Sequence, residues 1–330
     1  MNGFSAAISG VGGAIGRYFS LVSFIPSLFL VGFTFTLIKS GAWVGDPNWA
    51  KAGDALTNIG NLALLTLISI ALGVIVHPIQ FAMVQFFEGY WGTGKLRQRV
   101  RVARIRHYLK RSTRQFGDLI SAETGLADSE NLSLEVKIEL LSVAAENERL
   151  LEGYPPDDDD MMPTRLGNVL RKYEREAGAQ YGLDATTILE HVAQVAPVQR
   201  VEYVRDQRQL LDLSVRMTAT SILATFIAIA FLWHDGPWLL IALVPYSIAY
   251  LSYRGAVVVA HAYGSAFSTM IDLDRFALYD YLRLPRPRTT KAEQRTNAKL
   301  IGLINHDPRS SLRYRHPEIT GSSSTDPPGR

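Results

Sequence analysis

"LALLTLISIALGVIVHPIQFAMVQFF" runs from Leu62 to Phe87 without an aspartate, glutamate, lysine or arginine. It is longer than the roughly 20 residues that an α-helix needs to cross a bilayer. We predict a membrane helix over residues 58–76. Pro78 should kink this apolar stretch, because proline has no backbone N–H and its ring crowds the preceding turn. The aromatic residues that follow are typical of a membrane interface.

Three further apolar stretches have the length and composition of membrane spans. The first, Tyr18–Ile38, carries no charged residue. A cleaved signal peptide is the alternative there, but the run is too long and no small-residue cleavage site follows it cleanly. The third ends near Trp233, and the fourth covers Trp238–Tyr253.

The links within each pair of spans are short: residues 40–54 in the first pair and His234–Pro237 in the second. Short links make consecutive helices antiparallel neighbours. The sequence therefore predicts an all-α membrane protein with four transmembrane helices in two antiparallel hairpins, together with cytoplasmic helices.

The positive charges predict the orientation of the chain. Lys95–Arg114 holds nine Lys and Arg and no acid, and Arg283–Arg315 again holds nine. The short links hold only Lys51 beyond the border residue Lys39. Since Lys and Arg mark the cytoplasmic side, we predict a multi-pass protein of the cytoplasmic membrane with both termini inside.

These patterns divide the chain into four regions. Residues 1–94 form an N-terminal membrane hairpin, and 95–212 a cytoplasmic helical region. Residues 213–284 form a second membrane hairpin with an amphipathic helix, and 285–330 a basic disordered tail. The chain has no cysteine, which excludes disulfides, thiolate nucleophiles and zinc ribbons.

The basic run after the second span has helical periodicity, with four arginines along one stripe: Arg97, Arg101, Arg104 and Arg111. Such a run is a topology signal, a contact to anionic lipid headgroups, or both. We assign the four arginines to lipid headgroups. Nucleic-acid binding is the least favoured interpretation, because the run adjoins a membrane exit.

The cytoplasmic region contains a run of four aspartates, Asp157–Asp160. Calcium loops alternate acidic and other positions around a glycine, and this run does not. We interpret it as a solvated turn before a helix and expect no metal site. Helix caps are predicted at Ser133, Thr164 and Asp184, and a long helix from about Val198 should run into the third span.

"MPTRLGNVLRKYE" (Met162–Glu174), followed by "YGLD" (Tyr181–Asp184), resembles the signature of an actinobacterial family of multi-pass membrane proteins without an assigned function. The segment Ala262–Leu282 resembles a second segment of that family. The resemblance implies a location in the cytoplasmic membrane, and it carries over no activity and no functional residue.

Polar groups in apolar surroundings are candidate functional residues, and four qualify here: Asn61, His77, Arg254 and His261. The alternative for each is an interfacial residue bonded to backbone or lipid. A proton or ion pathway requires two such groups buried in the bundle, and no predicted span shows an acid or base at its middle. We expect no cofactor and no catalytic residue.

Two functions fit these features. The first is a non-enzymatic scaffold or sensor, whose cytoplasmic helices bind a protein partner or another copy of the chain. The second is a channel or transporter subunit with a polar path between the hairpins. An enzyme is less favoured, since no nucleophile and base are brought together by the pattern.

Overall fold

The computed structural model describes residues 19–127 and 132–315, and within these ranges the chain is helical and contains no strand. The helices are α1 (Ile25–Ser40), α2 (Trp49–Thr57), α3 (Ile59–Val76), α4 (Gln80–Glu88), α5 (Lys95–Ala127), α6 (Leu134–Leu151), α7 (Arg165–Glu176), α8 (Ala185–Val195), α9 (Val198–Leu232), α10 (Leu243–Tyr281) and α11 (Thr290–Ile304). A π-helical segment, Phe19–Phe24, precedes α1.

Four helical stretches are long and apolar enough to cross a membrane, which confirms the predicted number of candidate spans. They are Val22–Ser40, Ile59–Glu88, Val198–Leu232 and Gly236–Tyr281. The irregularity predicted at Pro78 is also present, because α3 ends at Val76 and a 3₁₀ turn at His77–Ile79 separates it from α4.

The helix starts predicted between the second and third candidate spans are confirmed by their caps. Ser133 Oγ accepts from Val136 N–H at the start of α6, and Thr164 Oγ1 accepts from Gly167 N–H at the start of α7. Asp184 accepts from the backbone of α8 in the same way. These side chains satisfy N–H groups that have no partner within the first helical turn.

Other parts of the chain differ from the sequence prediction. The link between the first two spans contains α2, whose start is capped by Asn48. The fourth apolar stretch opens with a 3₁₀ turn, Gly236–Ala242, and α10 begins only at Leu243 and continues to Tyr281. The basic helix α5 extends 13 residues past Arg114, to Ala127.

The prediction of a disordered tail from residue 285 is wrong for Thr290–Ile304, which form α11. Thr289 caps this helix, and Glu293, Asn297 and Leu300 are buried along one side of it. The spacing of these three residues is that of one helix face, and two of them are polar, so a search for an apolar stripe overlooks them. Residues 316–330 lie outside the described ranges.

The chain divides into two compact units. The first comprises residues up to Arg175 and Glu202–Ala266. One of its core clusters joins α4, α7, α9 and α10 through Val84, Leu166, Val169, Leu170, Leu211, Val215, Ala256, Val257 and Ala260. A second cluster joins α1, α9 and the Gly236–Ala242 turn through Leu37, Ala42, Ala228, Leu232 and Ala242.

The second unit comprises Glu176–Val201 and the residues from Phe267 onward. Its helix α11 packs on α8 and on the Ala179–Tyr181 turn. The fully buried apolar side chains include Ile188 and Val192 of α8. Burial of each such side chain stabilises a fold by about 1.5–3 kcal/mol.

Candidate functional site

The first unit contains a buried arginine. Arg216 of α9 is 1% exposed. Its Nη1 donates to the Val22 carbonyl oxygen at 3.1 Å and to Ser23 Oγ at 2.5 Å. A buried charge is costly unless it is hydrogen-bonded, so these acceptors on the N-terminal π-helical segment help to stabilise the buried guanidinium.

Pro26 explains why the Val22 carbonyl can accept this bond. In an α-helix that carbonyl would accept from the N–H of the residue four positions later. That residue is Pro26, which has no N–H to give. The guanidinium of Arg216 supplies the donor instead.

Helix α3 approaches the same segment at a glycine. A Cβ on Gly73 would lie 3.3 Å from the Ser23 carbonyl oxygen, which is tighter than most Cβ contacts. One helical turn later on the same face, His77 Nδ1 lies 3.5 Å from Ser23 Oγ. Ser23 therefore links Arg216 of the third candidate span to His77 of the second.

The helix break after His77 brings a second polar contact into place. Gln80, 6% exposed, donates from Nε2 to the Asp212 carbonyl oxygen at 3.0 Å. The Asp212 carboxylate pairs with Arg208 Nε at 3.3 Å. We call Ser23, His77, Gln80, Asp212 and Arg216 the buried polar cluster, in which His77 is the one exposed member.

The "MPTRLGN" segment forms a close joint with the end of α4. A Cβ on Gly167 would lie 2.0 Å from the Glu88 carbonyl oxygen, and a Cβ on Gly89 would lie 2.3 Å from Pro163 Cγ. Gly89 also has a φ of 110°, a conformation that glycine adopts without a steric penalty. Only glycine fits at both positions.

The polar residues of this joint form hydrogen bonds with other groups of the joint. Thr164 Oγ1 donates to the Glu88 carbonyl oxygen at 2.9 Å in addition to capping α7. Asn168, fully buried, accepts from Met162 N–H at 2.6 Å. The segment that resembles a family signature thus fixes α7 to the end of the second candidate span.

The "YGLD" segment has a comparable role inside the second unit. Gly182 has a φ of 72°, and a Cβ there would lie 3.1 Å from the backbone of Gln294. The Tyr181 carbonyl oxygen accepts from Asn297 Nδ2 at 2.8 Å. The guanidinium of Arg275 lies 3.8 Å from the centre of the Tyr181 ring.

The four polar candidates from the sequence lie in different surroundings. Asn61 donates to the Ala55 carbonyl oxygen at 2.8 Å beside the first link. Arg254 is exposed and lies over the Tyr250 ring. His261 is half-buried and meets the Tyr173 ring edge-on, with centroids 5.9 Å apart. Of the four, His77 alone lies in the buried polar cluster.

The four arginines assigned to lipid headgroups also differ from one another. Arg104 donates to the Pro163 carbonyl oxygen at 3.4 Å and to the Tyr108 hydroxyl at 3.0 Å, and Arg97 donates to the Trp91 carbonyl oxygen at 3.1 Å. Arg101 is half-buried and Arg111 is exposed. Burial raises the pKa of Tyr154, and the positive charge of Arg111 opposes part of that rise.

The aspartate run forms an exposed 3₁₀ turn, in which Asp160 pairs with Arg175 Nε at 2.6 Å. Within residues 19–127 and 132–315, no three His, Asp or Glu side chains are arranged to hold a metal ion.

Sequence reasoning missed Arg216, although this residue lies inside the predicted third span. An ionisable functional group was expected at the middle of a span, and Arg216 lies near the start of the predicted span, which begins at about residue 213. Two residues in the sequence could have indicated this contact. Arg216 is a charged residue within the third apolar stretch, and Pro26 in the first leaves a backbone carbonyl oxygen without its helical donor.

Comparison of the chain with protein-family models, with curated proteins and with solved structures found no match.

Proposed function

We propose that the protein is a multi-pass scaffold or sensor of the cytoplasmic membrane. Its four spans form two antiparallel hairpins, both termini are cytoplasmic, and residues 95–212 present helices to the cytoplasm. Two blocks of nine Lys and Arg, one after the second span and one after the fourth, support this orientation, because such residues are retained on the cytoplasmic side.

The surface of α6 carries the scaffold proposal. This helix packs along α5, yet none of its residues is buried. Leu134, Ile138 and Leu141 are 72%, 58% and 50% exposed. Contiguous exposed apolar side chains outside a membrane span are typical of protein-binding surfaces. We propose that this apolar face of α6 binds another copy of the chain or a cytoplasmic protein.

The double substitution Ile138→Ser with Leu141→Ser tests this proposal in the full-length protein. We expect cross-linked dimers, or a protein captured with the wild type, to be lost. The melting temperature in detergent should change little, because exposed substitutions usually alter stability by less than about 0.5 kcal/mol. A matched control carries serine at the exposed polar positions Lys137 and Glu148.

Equal cross-linking and equal capture for the wild type, the apolar-face variant and the control would refute the scaffold proposal. A dimer lost only from the Ile138 and Leu141 variant would identify the bound protein as a second copy. A captured protein lost only from that variant would identify it as a partner.

The buried polar cluster favours a second candidate, a channel or transporter subunit. Ser23, His77 and Arg216 come from the first three candidate spans and lie next to one another. Charged groups inside membrane proteins commonly mark ion or substrate pathways. Ion flux through proteoliposomes that is abolished by Arg216→Met would support transport, and absence of flux through the wild type would exclude a conducting form.

We also propose that the protein is related to the actinobacterial family of multi-pass membrane proteins, because of its "MPTRLGNVLRKYE" and "YGLD" segments. Both segments make close contacts in which glycine is required, at Gly167 and Gly182. If the relationship holds, other members should keep glycine at these two positions and also at Gly89, where φ is 110°.

A further inference from the structure

Helix α5 carries two basic faces that lie opposite each other. At about 100° per residue, Arg97, Arg101, Arg104 and Arg111 fall on one side. Lys95, Arg99, Arg106 and Lys110 fall on the other side. The first set is the face that the sequence assigns to lipid.

Two arginines of that first face form hydrogen bonds with other groups of the protein. Arg104 donates to the Pro163 carbonyl oxygen and to the Tyr108 hydroxyl, and its guanidinium carbon lies 5.2 Å from the centre of the Tyr108 ring. Arg97 turns back to the Trp91 carbonyl oxygen. Two of the four arginines are thus engaged by neighbouring protein groups.

The opposite face forms an open groove along α5. Its lining residues are Lys95, Gln98, Arg99, Val102, Ala103 and Arg106. The lining contains three cations and no acid, and Val102 is 41% exposed. Over the described part of the chain, the side chains of Lys95, Arg99 and Arg106 make no hydrogen bond or ion pair. Three like charges within about three helical turns repel one another, and a bound anion relieves that repulsion.

We propose that this groove binds the phosphate groups of anionic phospholipids in the inner leaflet. Lys95, Arg99 and Arg106 would hold the phosphates, and Val102 and Ala103, which flank these cations on the same side of the helix, would contact the adjoining apolar part of the lipid. The inference rests on the proposed cytoplasmic placement of α5 directly after the second span.

Two triple variants of the full-length protein separate the faces. The groove variant carries Lys95→Gln, Arg99→Gln and Arg106→Gln. The control carries Arg97→Gln, Arg101→Gln and Arg111→Gln, which removes the same charge from the same helix but from its other side. Native mass spectrometry in detergent then counts bound phosphatidylglycerol during a titration, with phosphatidylcholine as the neutral lipid.

We expect the groove variant to bind phosphatidylglycerol roughly 100-fold more weakly than the wild type, from three cations near the lipid surface. The affinity of the control variant for phosphatidylglycerol should fall less than tenfold, and phosphatidylcholine binding should not change. An equal or larger loss in the control would assign the lipid to the opposite face and overturn the proposal. Wild-type affinity that is equal for both lipids would do the same.

Two competitors distinguish other anion sources. Displacement of the lipid by millimolar inorganic phosphate would show that the groove takes a free phosphate and not a lipid. If the protein binds an unstructured oligonucleotide more tightly than phosphatidylglycerol, the groove is a nucleic-acid site. Either result overturns the proposal. Thermal melts of all three proteins identify a variant that fails to fold.

A second measurement does not depend on charge removal. Because the chain has no cysteine, Ala103→Cys and Arg111→Cys each give a single site for an environment-sensitive dye. In phosphatidylglycerol vesicles the dye at residue 103 should shift to the blue and the dye at residue 111 should not. Equal spectra would overturn the proposal, whereas a wild type that is recovered without membranes would instead refute the membrane placement on which it rests.

Discussion

Replacement of Gly167 by alanine tests the joint between α7 and the end of α4. The added methyl carbon would lie 2.0 Å from the Glu88 carbonyl oxygen and 3.0 Å from Met162 Cβ, whereas ordinary contact begins at 3.4 Å. The closer atom belongs to the backbone, so a change of side-chain rotamer cannot relieve the clash. The two segments must separate by more than 1 Å for the methyl group to fit.

The cost of this separation follows from known effects of overpacking. Extra methyl groups in a packed core cost about 1–3 kcal/mol and occasionally more. We take about 3 kcal/mol, since the clash is with the backbone. Alanine recovers about 1 kcal/mol through its helix propensity, which leaves a net loss of about 2 kcal/mol. On the scale of about 2–4 °C per kcal/mol, the melting temperature should fall by roughly 4–8 °C.

Gly117→Ala is the matched control. Gly117 also lies inside a helix, α5, and a Cβ there would meet nothing within 4 Å. Alanine at this position should therefore raise stability by about 0.5–1 kcal/mol. Both variants are measured in the full-length protein in the same detergent by intrinsic fluorescence. A Gly167→Ala variant that melts at or above the wild-type temperature would refute the close approach.

Two further substitutions remove single buried hydrogen bonds. Ser23→Ala takes a hydroxyl acceptor from Arg216 and should cost about 1.5–3 kcal/mol, the range for bonds to charged groups, as measured by thermal melting. Asn297→Ala removes the acceptor for the Tyr279 hydroxyl and the donor to the Tyr181 carbonyl oxygen. It should cost about 2 kcal/mol, and proteolysis near α11 should become faster.

Controls for these two variants come from α6. Ser142 is exposed and Asn147 is half-buried, and each donates only to a carbonyl oxygen of its own helix. Alanine at either should change stability by less than about 0.5 kcal/mol. If Ser23→Ala or Asn297→Ala behaves like its control, the corresponding buried contact does not stabilise the fold.

Much of the helical fold could be predicted because its signals are local. An uncharged run of 26 residues, a proline at residue 78 and caps such as Thr164 act within one or two turns. Helix α11 escaped prediction because its buried face is formed by Glu293, Asn297 and Leu300, two of which read as surface residues. Their burial depends on partners distant in sequence, Arg275 and Tyr279.

The candidate site was less predictable for the same reason. His77 was found because it is a lone ionisable group in an apolar run. Arg216 was not predicted. The groups that accept its hydrogen bonds, the Val22 carbonyl oxygen and Ser23 Oγ, are almost two hundred residues away in the sequence. The two basic faces of α5 are visible in the sequence, but which of them the protein itself uses depends on contacts such as Arg104 with Pro163.

Single cysteines test the proposed topology, in which two membrane hairpins leave the basic regions in the cytoplasm. The cysteine-free chain allows Val44→Cys and His234→Cys in the two short links, with Ser121→Cys in α5 and Lys299→Cys in α11. A membrane-impermeant maleimide should label the two link positions in intact spheroplasts, and the other two only after permeabilisation. Labelling of residue 121 or 299 in intact spheroplasts, or protection of either link position from labelling, would contradict the proposed topology.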